Sequence, residues 1–351
     1  MHRYAIWGAA TSPEHEAWVR DIGAAFEADG FARVDDVADA DFVLNMFDPE
    51  QPKAFRRQAR GTYSASFYEL SAEPDDVLKT SYPMLVRTLA NVVVLRVPDV
   101  GVWFTTMERG TYRITEDPTD VFDRLAPLAK SKLVIDNEFT ADLEPELWDG
   151  DEITADLGAA GKRMQELDLL PAPFPVHEYL DERDLRHVMR LYQVGGLSYG
   201  NLSARKDETR FWMSASGVDK SQLEVAGRDI LLVTGYDEPN AKMIISVPPG
   251  IEPRRVSVDA IEHWMIYQAH PDVGAILHVH AWMEGIAATD INYPCGTQEL
   301  AESVADLIDR EPDPSHAVIG LRNHGITATG DSLTEILDRI ESSILRQVPM
   351  T

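Results

Sequence analysis

The sequence predicts an α/β fold in two halves, and three observations carry that expectation. Through residues 1 to about 150, apolar runs of strand length alternate with stretches of helical spacing. The proline run Pro171-Ala172-Pro173-Phe174-Pro175 then interrupts the chain, because prolines at that density cannot continue a helix and favour an extended connection. Beyond it strands and helices resume, and the histidines concentrate there: of ten, only His2 and His15 lie in the first half.

In the first half, Tyr4–Gly8 reads as a short strand. A helix over Glu14–Ala28 follows, with Trp18, Ile22, Ala25 and Phe26 at helical spacing. Phe42–Met46, Thr62–Phe67 and Asn91–Val97 read as further strands, two of them nearly all apolar, as buried parallel strands are. Val102–Thr106 and Thr111–Thr115 flank Arg109-Gly110 and predict a β-hairpin. Residues 1–150 are therefore expected to form an α/β, Rossmann-like domain. Its first turn, Gly8-Ala9-Ala10-Thr11-Ser12-Pro13, lacks the spaced glycines of a dinucleotide or P-loop fingerprint, so no nucleotide is inferred. No catalytic set is recognisable in this half, which favours a lid or oligomerisation domain over a second activity. Trp103, Glu108 and Arg109 of the hairpin are candidate contacts, although such residues also serve to stabilise cross-strand pairs.

The stretch Asp136–Asp156 is rich in Asp and Glu, and a helical piece follows it. Residues 151–176 are expected to be an acidic, proline-rich connection and residues 177–351 a second domain. That domain opens with an amphipathic helix around His177–Val194, broken at Gly195-Gly196. Gly200-Asn201-Leu202-Ser203 follows, then strands over Phe211–Ala215, Ile230–Thr234 and Met243–Val247. A helix opening at Ser257 carries Asp259, His263 and Tyr267 on one face. The run Val273–Trp282 reads as a strand, Thr297–Arg310 as a helix, Ala317–Leu321 as a strand, and a last helix starts at Ser332.

Composition narrows the setting. The hydrophobic fraction of 44% and charged fraction of 26% over 351 residues are those of a globular chain with room for two domains. Lys+Arg 32 against Asp+Glu 59 gives −27, which argues against nucleic acid or an anionic membrane surface as partner. The single cysteine, Cys295, excludes an intrachain disulfide framework and a zinc–thiolate cluster. Met1–Ala10 is too short and interrupted for a signal peptide, and no apolar run approaches membrane-spanning length, so the expected location is cytoplasmic.

In the strand Val273–Trp282, His278 and His280 stand two residues apart and project from one face. A third imidazole, His324 in Asn323-His324-Gly325, completes a three-nitrogen cradle with a position left for water or substrate, the layout of a catalytic zinc-type site. Around it stand, in order, Gly200-Asn201-Leu202-Ser203, Ser214-Ala215-Ser216-Gly217, Ser257-Val258-Asp259 with His263, Pro271 through His280, Gly296-Thr297-Gln298-Glu299-Leu300-Ala301, and Asn323-His324-Gly325.

Over about residues 177–351 these segments resemble the class II aldolase/adducin family, whose best-known members are fuculose- and ribulose-phosphate aldolases. The resemblance implies an α/β/α domain with a largely antiparallel sheet, a homotetramer with active sites at subunit junctions, and a small-molecule substrate. It implies that His278, His280 and His324 hold a divalent metal, usually zinc, with cobalt or manganese as alternatives. Such a metal stabilises the enediolate left when a carbon–carbon bond beside a carbonyl is cleaved. The family's acid–base residue is a glutamate four positions before the helix histidine; here Asp259 stands there, one methylene shorter. An acidic residue in a first helical turn also suits the helix dipole. His263 either supports the site or packs.

The resemblance further implies an anion pocket of Asn201, Ser216, Gly217 and Ser257. A second serine of the family pattern is replaced by Val258, and Ser257 also reads as a helix N-cap. Arg205, Lys220, Arg254 and Arg255 lie nearby in sequence. The segment between His280 and Gly296 is short, and its Tyr293 falls outside the place of the family's proton-donating tyrosine, leaving the donor unassigned. Cys295 reads as a small packed side chain. The expected activity is a metal-dependent carbon–carbon lyase on a small, sugar-derived hydroxylated carbonyl compound bearing an anionic group. A decarboxylase, epimerase or dehydratase on the same scaffold is the close alternative. A non-catalytic adducin-like interaction module is the distant one, and the retention of all three histidines argues against it.

Overall fold

The computed structural model describes residues 2–54, 63–106, 110–172, 174–191 and 198–351. Thr62, Glu108, Arg109, Pro173 and the expected helix end at 192–194 with its Gly195-Gly196 break lie outside them. The chain forms two compact units, residues 1–130 with 174–191 and 350–351, and residues 131–173 with 192–349.

The first unit runs β1 (Arg3–Gly8), α1 (Pro13–Ala28), β2 (Ala32–Arg33), β3 (Phe42–Met46), β4 (Tyr63–Glu69), α2 (Val77–Thr88), β5 (Val92–Val97), β6 (Gly101–Thr106), β7 (Gly110–Ile114) and α3 (Pro118–Lys130). The chain then gives β8 (Asp136–Thr140) and α4 (Glu152–Glu166) to the second unit and returns for α5 (Val176–Tyr179) and α6 (Glu182–Leu191). The rest belongs to the second unit: β9 (Asn201–Arg205), β10 (Phe211–Ser214), β11 (Ile230–Asp237), β12 (Lys242–Ser246), α7 (Ala260–Ala269), β13 (Ala275–Val279), α8 (Gln298–Asp309), β14 (Val318–Leu321), β15 (Gly325–Gly330) and α9 (Leu333–Ile340). Among the described residues no helix is long and apolar enough to cross a membrane.

The first sheet has the order β2-β1-β3-β4-β5-β6-β7, parallel from β2 to β5 and antiparallel through β6 and β7. The all-buried runs of β3 and nearly all of β5 occupy its middle, as two-sided burial requires. The order 2-1-3-4-5 is a doubly wound one, but it differs from the 3-2-1-4-5-6 of dinucleotide-binding domains. Trp103 of β6 is 5% exposed, with the Arg113 guanidinium 5.1 Å over its ring, so it packs within its hairpin and is not presented to a ligand.

The second sheet has the order β14-β15-β13-β9-β10-β11-β12-β8 and is antiparallel except where β8 joins β12 in parallel. Its largest core cluster gathers Trp212, Met213, Leu231, Leu232, Ile276 and Leu277 with residues of α4.

The units divide the chain differently from the expected boundaries at 150 and 176. β8 extends the second sheet, and α4 buries Leu157, Ala160 and Met164 in that unit's core, so the acidic stretch is structural. A capping box of Asp151 and Thr154 starts α4. Conversely, α6 belongs to the first unit, where Arg87 of α2 pairs with Asp184 at 2.8 Å and leaves that carboxylate 3% exposed.

Ser12 caps α1 by accepting a hydrogen bond from the His15 backbone N–H at 2.9 Å, and the His15 ring is fully buried. Burial pulls this imidazole down to about 4, with Glu69 opposing and Arg96 reinforcing the shift. The unfolded chain therefore binds the extra proton between about pH 6.5 and pH 4, and stability falls as the pH falls through that window. Across it, His15→Gln is expected to gain on the parent by on the order of 3 kcal/mol, read from urea unfolding at each pH. A difference that stays constant from neutral to acid pH would show that this ring does not govern acid sensitivity.

Candidate functional site

The site is built on β13. Its neighbours β9 and β15 bring Asn201 and Thr327 directly opposite His278, one on each side. Cross-strand partners share a face, so Asn201, His278 and Thr327 form one polar row across three strands. Gly200, with φ +73°, lets β9 approach this closely, because a Cβ there would lie 2.5 Å from the His278 carbonyl oxygen. His280 follows just past the end of β13. His324 comes from the turn between β14 and β15, closed by its backbone N–H donating to the Leu321 carbonyl at 2.9 Å and using Asn323 at φ +54°. Asn tolerates that left-handed conformation better than most residues.

The three imidazoles close on one another. Ring centroids lie 5.2 Å (His278–His280), 4.7 Å (His278–His324) and 5.0 Å (His280–His324) apart, and all three residues are buried. One nitrogen from each lies within 4.8 Å of the others. His278 Nδ1 sits 3.0 Å from the Ile326 carbonyl oxygen, which accepts its proton and leaves Nε2 to face the cluster. Three imidazoles, one of them oriented by a carbonyl, fit a divalent cation with a coordination position to spare.

Two carboxyl groups from the start of α7 dock onto the polar row. Asn201 Nδ2 donates to Asp259 Oδ2 at 2.7 Å, and Thr327 Oγ1 donates to Glu262 Oε1 at 2.6 Å. Asp259 is 6% exposed and Glu262 2%. Burial, reinforced by Asp259, raises the Glu262 carboxyl well above the usual carboxylate range, against the pull of the Thr327 hydrogen bond. The pairing thus sets a proton-holding acid one helical turn from Asp259. Sequence reasoning missed Glu262; its only signal was a charged residue one position before His263, on a helix face that had to be buried.

Of the expected anion-site residues, Ser216, Gly217 and Ser257 come together. Residues 214–216 and 255–257 run side by side, with Ser257 N donating to the Ser214 carbonyl at 3.2 Å and Ser216 N to the Arg255 carbonyl at 2.8 Å. Gly217 takes φ +72°. Asn201 is separate from them in role: its amide is engaged with Asp259. Ser257 is not the helix cap either, since Asp259 occupies that position.

Other side chains nearby have plainer parts. His263 Nδ1 and the Tyr267 hydroxyl both meet Ser203 Oγ, at 2.7 Å and 2.9 Å, and Arg205 lies 4.5 Å over the Tyr267 ring. Burial, with the field of His278, pushes the His263 ring down to about 3, so it serves as a neutral packing element. Cys295 is more than packing, because its Sγ stands 3.2 Å from His324 Nε2 at the rim of the cluster.

Residues 185–290 match the profile of the family described as Class II Aldolase and Adducin N-terminal domain. The family resemblance rests on that segment, most of which belongs to the second unit. Curated relatives include a methylthioribulose-1-phosphate dehydratase from Leptospira biflexa, 29% identical over 111 residues that cover 31% of this chain and 49% of the relative. Another, with the same name, from Xanthomonas campestris, is 24% identical over 210 residues covering 49% and 89%. The chain thus spans about half the length of the Leptospira relative that it matches. Similar solved structures include L-fuculose 1-phosphate aldolase (19% identity, TM-score 0.37, covering 55% and 83%). An aldolase II superfamily protein from Pseudomonas syringae is also similar (19% identity, TM-score 0.38, 57% and 75%). Class II aldolase proteins generally use a divalent metal, commonly zinc.

His278→Ala, His280→Ala and His324→Ala are each expected to weaken zinc binding by at least about a hundredfold. The check is metal content by mass spectrometry after chelation and reloading, together with the rise in melting temperature on adding zinc. Full zinc occupancy in any of the three variants would remove that residue from the cradle.

Proposed function

We propose that the class II aldolase domain is a metal-dependent aldehyde-lyase. Its substrate would be a small, sugar-derived hydroxylated carbonyl compound with an anionic handle. The observation that supports this reading is the row Asn201–His278–Thr327, which holds one carboxyl on each side of an imidazole facing the metal cradle. A divalent ion in the cradle supplies Lewis-acid stabilisation of negative charge developing on the substrate's oxygens. Asp259, oriented by Asn201, takes the proton from the β-hydroxyl; the adjacent carbon–carbon bond breaks and its electron pair passes to the carbonyl side. Glu262, which holds its proton, is the acid placed to return one to that side and fills the role left without a tyrosine. Ser216, Gly217 and Ser257 form the candidate seat for the anionic handle.

A second reading is favoured by the relatives' names. In a dehydration, Asp259 takes a proton from the carbon beside the carbonyl, and the β-hydroxyl leaves as water with the proton from Glu262. Both reactions begin at the same carboxylate and differ in the bond that breaks.

Zinc-, cobalt- and manganese-loaded protein offered ketose and aldose phosphates and methylthioribulose 1-phosphate separates them, because cleavage yields two carbonyl fragments and dehydration one unfragmented product. Asp259→Asn is expected to lower kcat by about a hundredfold or more with little change in KM. Turnover equal to the parent's would exclude Asp259 as the base.

A further inference from the structure

Of the three imidazoles in the cluster, His280 receives the least from its own strand. His278 lies within the β13 ladder and is turned by the Ile326 carbonyl, and His324 is carried in a closed turn. His280 comes one residue after Val279, the last ladder position, so strand pairing does not fix its ring. Tyr199 lies against that ring: the two centroids are 5.3 Å apart and the planes are tilted by 31°. Tyr199 is half-buried and His280 is 5% exposed, so the tyrosine is the outer member of the pair. It takes no part in the steps above.

The backbone that carries Tyr199 is held at three successive residues. The Ser198 hydroxyl accepts from the Lys220 backbone N–H at 3.1 Å, and its carbonyl accepts from the Lys220 ammonium at 2.5 Å. Lys220 is 4% exposed, and its turn is seated on α4, where a Cβ at Gly161 would lie 1.9 Å from the Lys220 carbonyl oxygen. Tyr199 N donates to the carbonyl of Leu170, a core residue, at 2.7 Å. Gly200 packs against the His278 carbonyl. The ring is thus delivered to His280 by a segment with little freedom to move. A tyrosine face is the negative part of the ring's quadrupole, so it holds an imidazole that shares a cation's charge better than a neutral one.

We propose that Tyr199 is a positioning residue for the metal cradle: its ring, fixed by the backbone at 198–200, holds the His280 imidazole in the plane from which it meets His278 and His324. This role rests on the cradle binding a divalent ion and does not depend on which bond of a substrate breaks.

The probe is zinc alone, offered to the full-length protein in competition with a chromophoric chelator. Tyr199→Leu keeps an apolar side chain and removes the aromatic face, and it is expected to weaken zinc binding by about tenfold or more. Tyr199→Phe is expected to stay within about threefold of the parent, because it keeps the ring. In a His280→Ala background, Tyr199→Leu should cost no further affinity, since its effect passes through His280. Cobalt-loaded Tyr199→Leu should also lose intensity in its visible bands, as a site with one displaced imidazole takes up water and leaves four-coordination. Equal zinc affinity in parent and Tyr199→Leu overturns the proposal, and so does a loss of the same size with and without His280. Where Tyr199→Leu does not fold, the absence of a nuclear Overhauser effect between Tyr199 and His280 ring protons in the zinc-loaded parent overturns it. A parent that binds no zinc overturns the cradle and this role together. The expected pattern of affinities in a protein that turns over no substrate supports the role of Tyr199 and counts against the lyase reading.

Discussion

The register of β13 between β9 and β15 is the constraint on which the site depends. Side chains alternate across a strand, so a slip of one residue would turn His278 to the other face and strip it of Asn201 and Thr327 together. The register is held from both sides by the apolar residues of β13: Ala275, Ile276, Leu277 and Val279 are fully buried. The polar row is therefore specified by hydrophobic packing along the strand that carries it. His324 reaches the cluster through the same arrangement, because the β14–β15 turn that carries it is joined to β13 through β15.

The cluster of three histidines was legible in the sequence because its geometry is local. A His-x-His pair on a strand shares a face by backbone alternation alone, and a histidine in an Asn-His-Gly turn has few places to point. Glu262 was not legible, since its partner Thr327 is 65 residues away and nothing in the helix reveals which strand lies against it. Lys220 read as one more cation near the surface, whereas the fold seals it beneath the turn that α4 clamps. The strands of the first sheet were visible as apolar runs, but such runs carry no information about lateral order. β8 was hidden for the opposite reason: Asp136–Thr140 is polar and only half-buried, and it is a strand because the edge of β12 offers it unpaired backbone groups.

That last point accounts for the difference between the expected boundary and the division into two compact units. Prolines and acidic residues mark where a chain cannot be helical or apolar, which is a local property, while a boundary is set by where long-range contacts stop. The capping box at Asp151 and the buried stripe of α4 commit the stretch after the acidic run to the second core. Asp184 ties α6 to the first unit through its ion pair with Arg87, which Asp181 shares.

Folding alone gives no reason to gather a lysine, two carboxyls and three imidazoles in the interior of one unit. Each loses hydration on burial, and apolar side chains of similar volume would stabilise the fold at least as well. The hydrogen bonds present offset only part of that loss: one amide for Asp259, one hydroxyl for Glu262, two carbonyls for Lys220. What the arrangement gains is separation of function between neighbouring carboxyls. Glu262, pressed by burial and by Asp259, keeps its proton, and Asp259 has the Asn201 amide on its side. In the proposed reaction, two like groups made unlike by their surroundings serve as acid and base. A chain of net charge −27 cannot create that asymmetry with its surface field, which salt screens within about 10 Å. It has to be built inside, by burial and by neighbouring groups that the solvent does not reach.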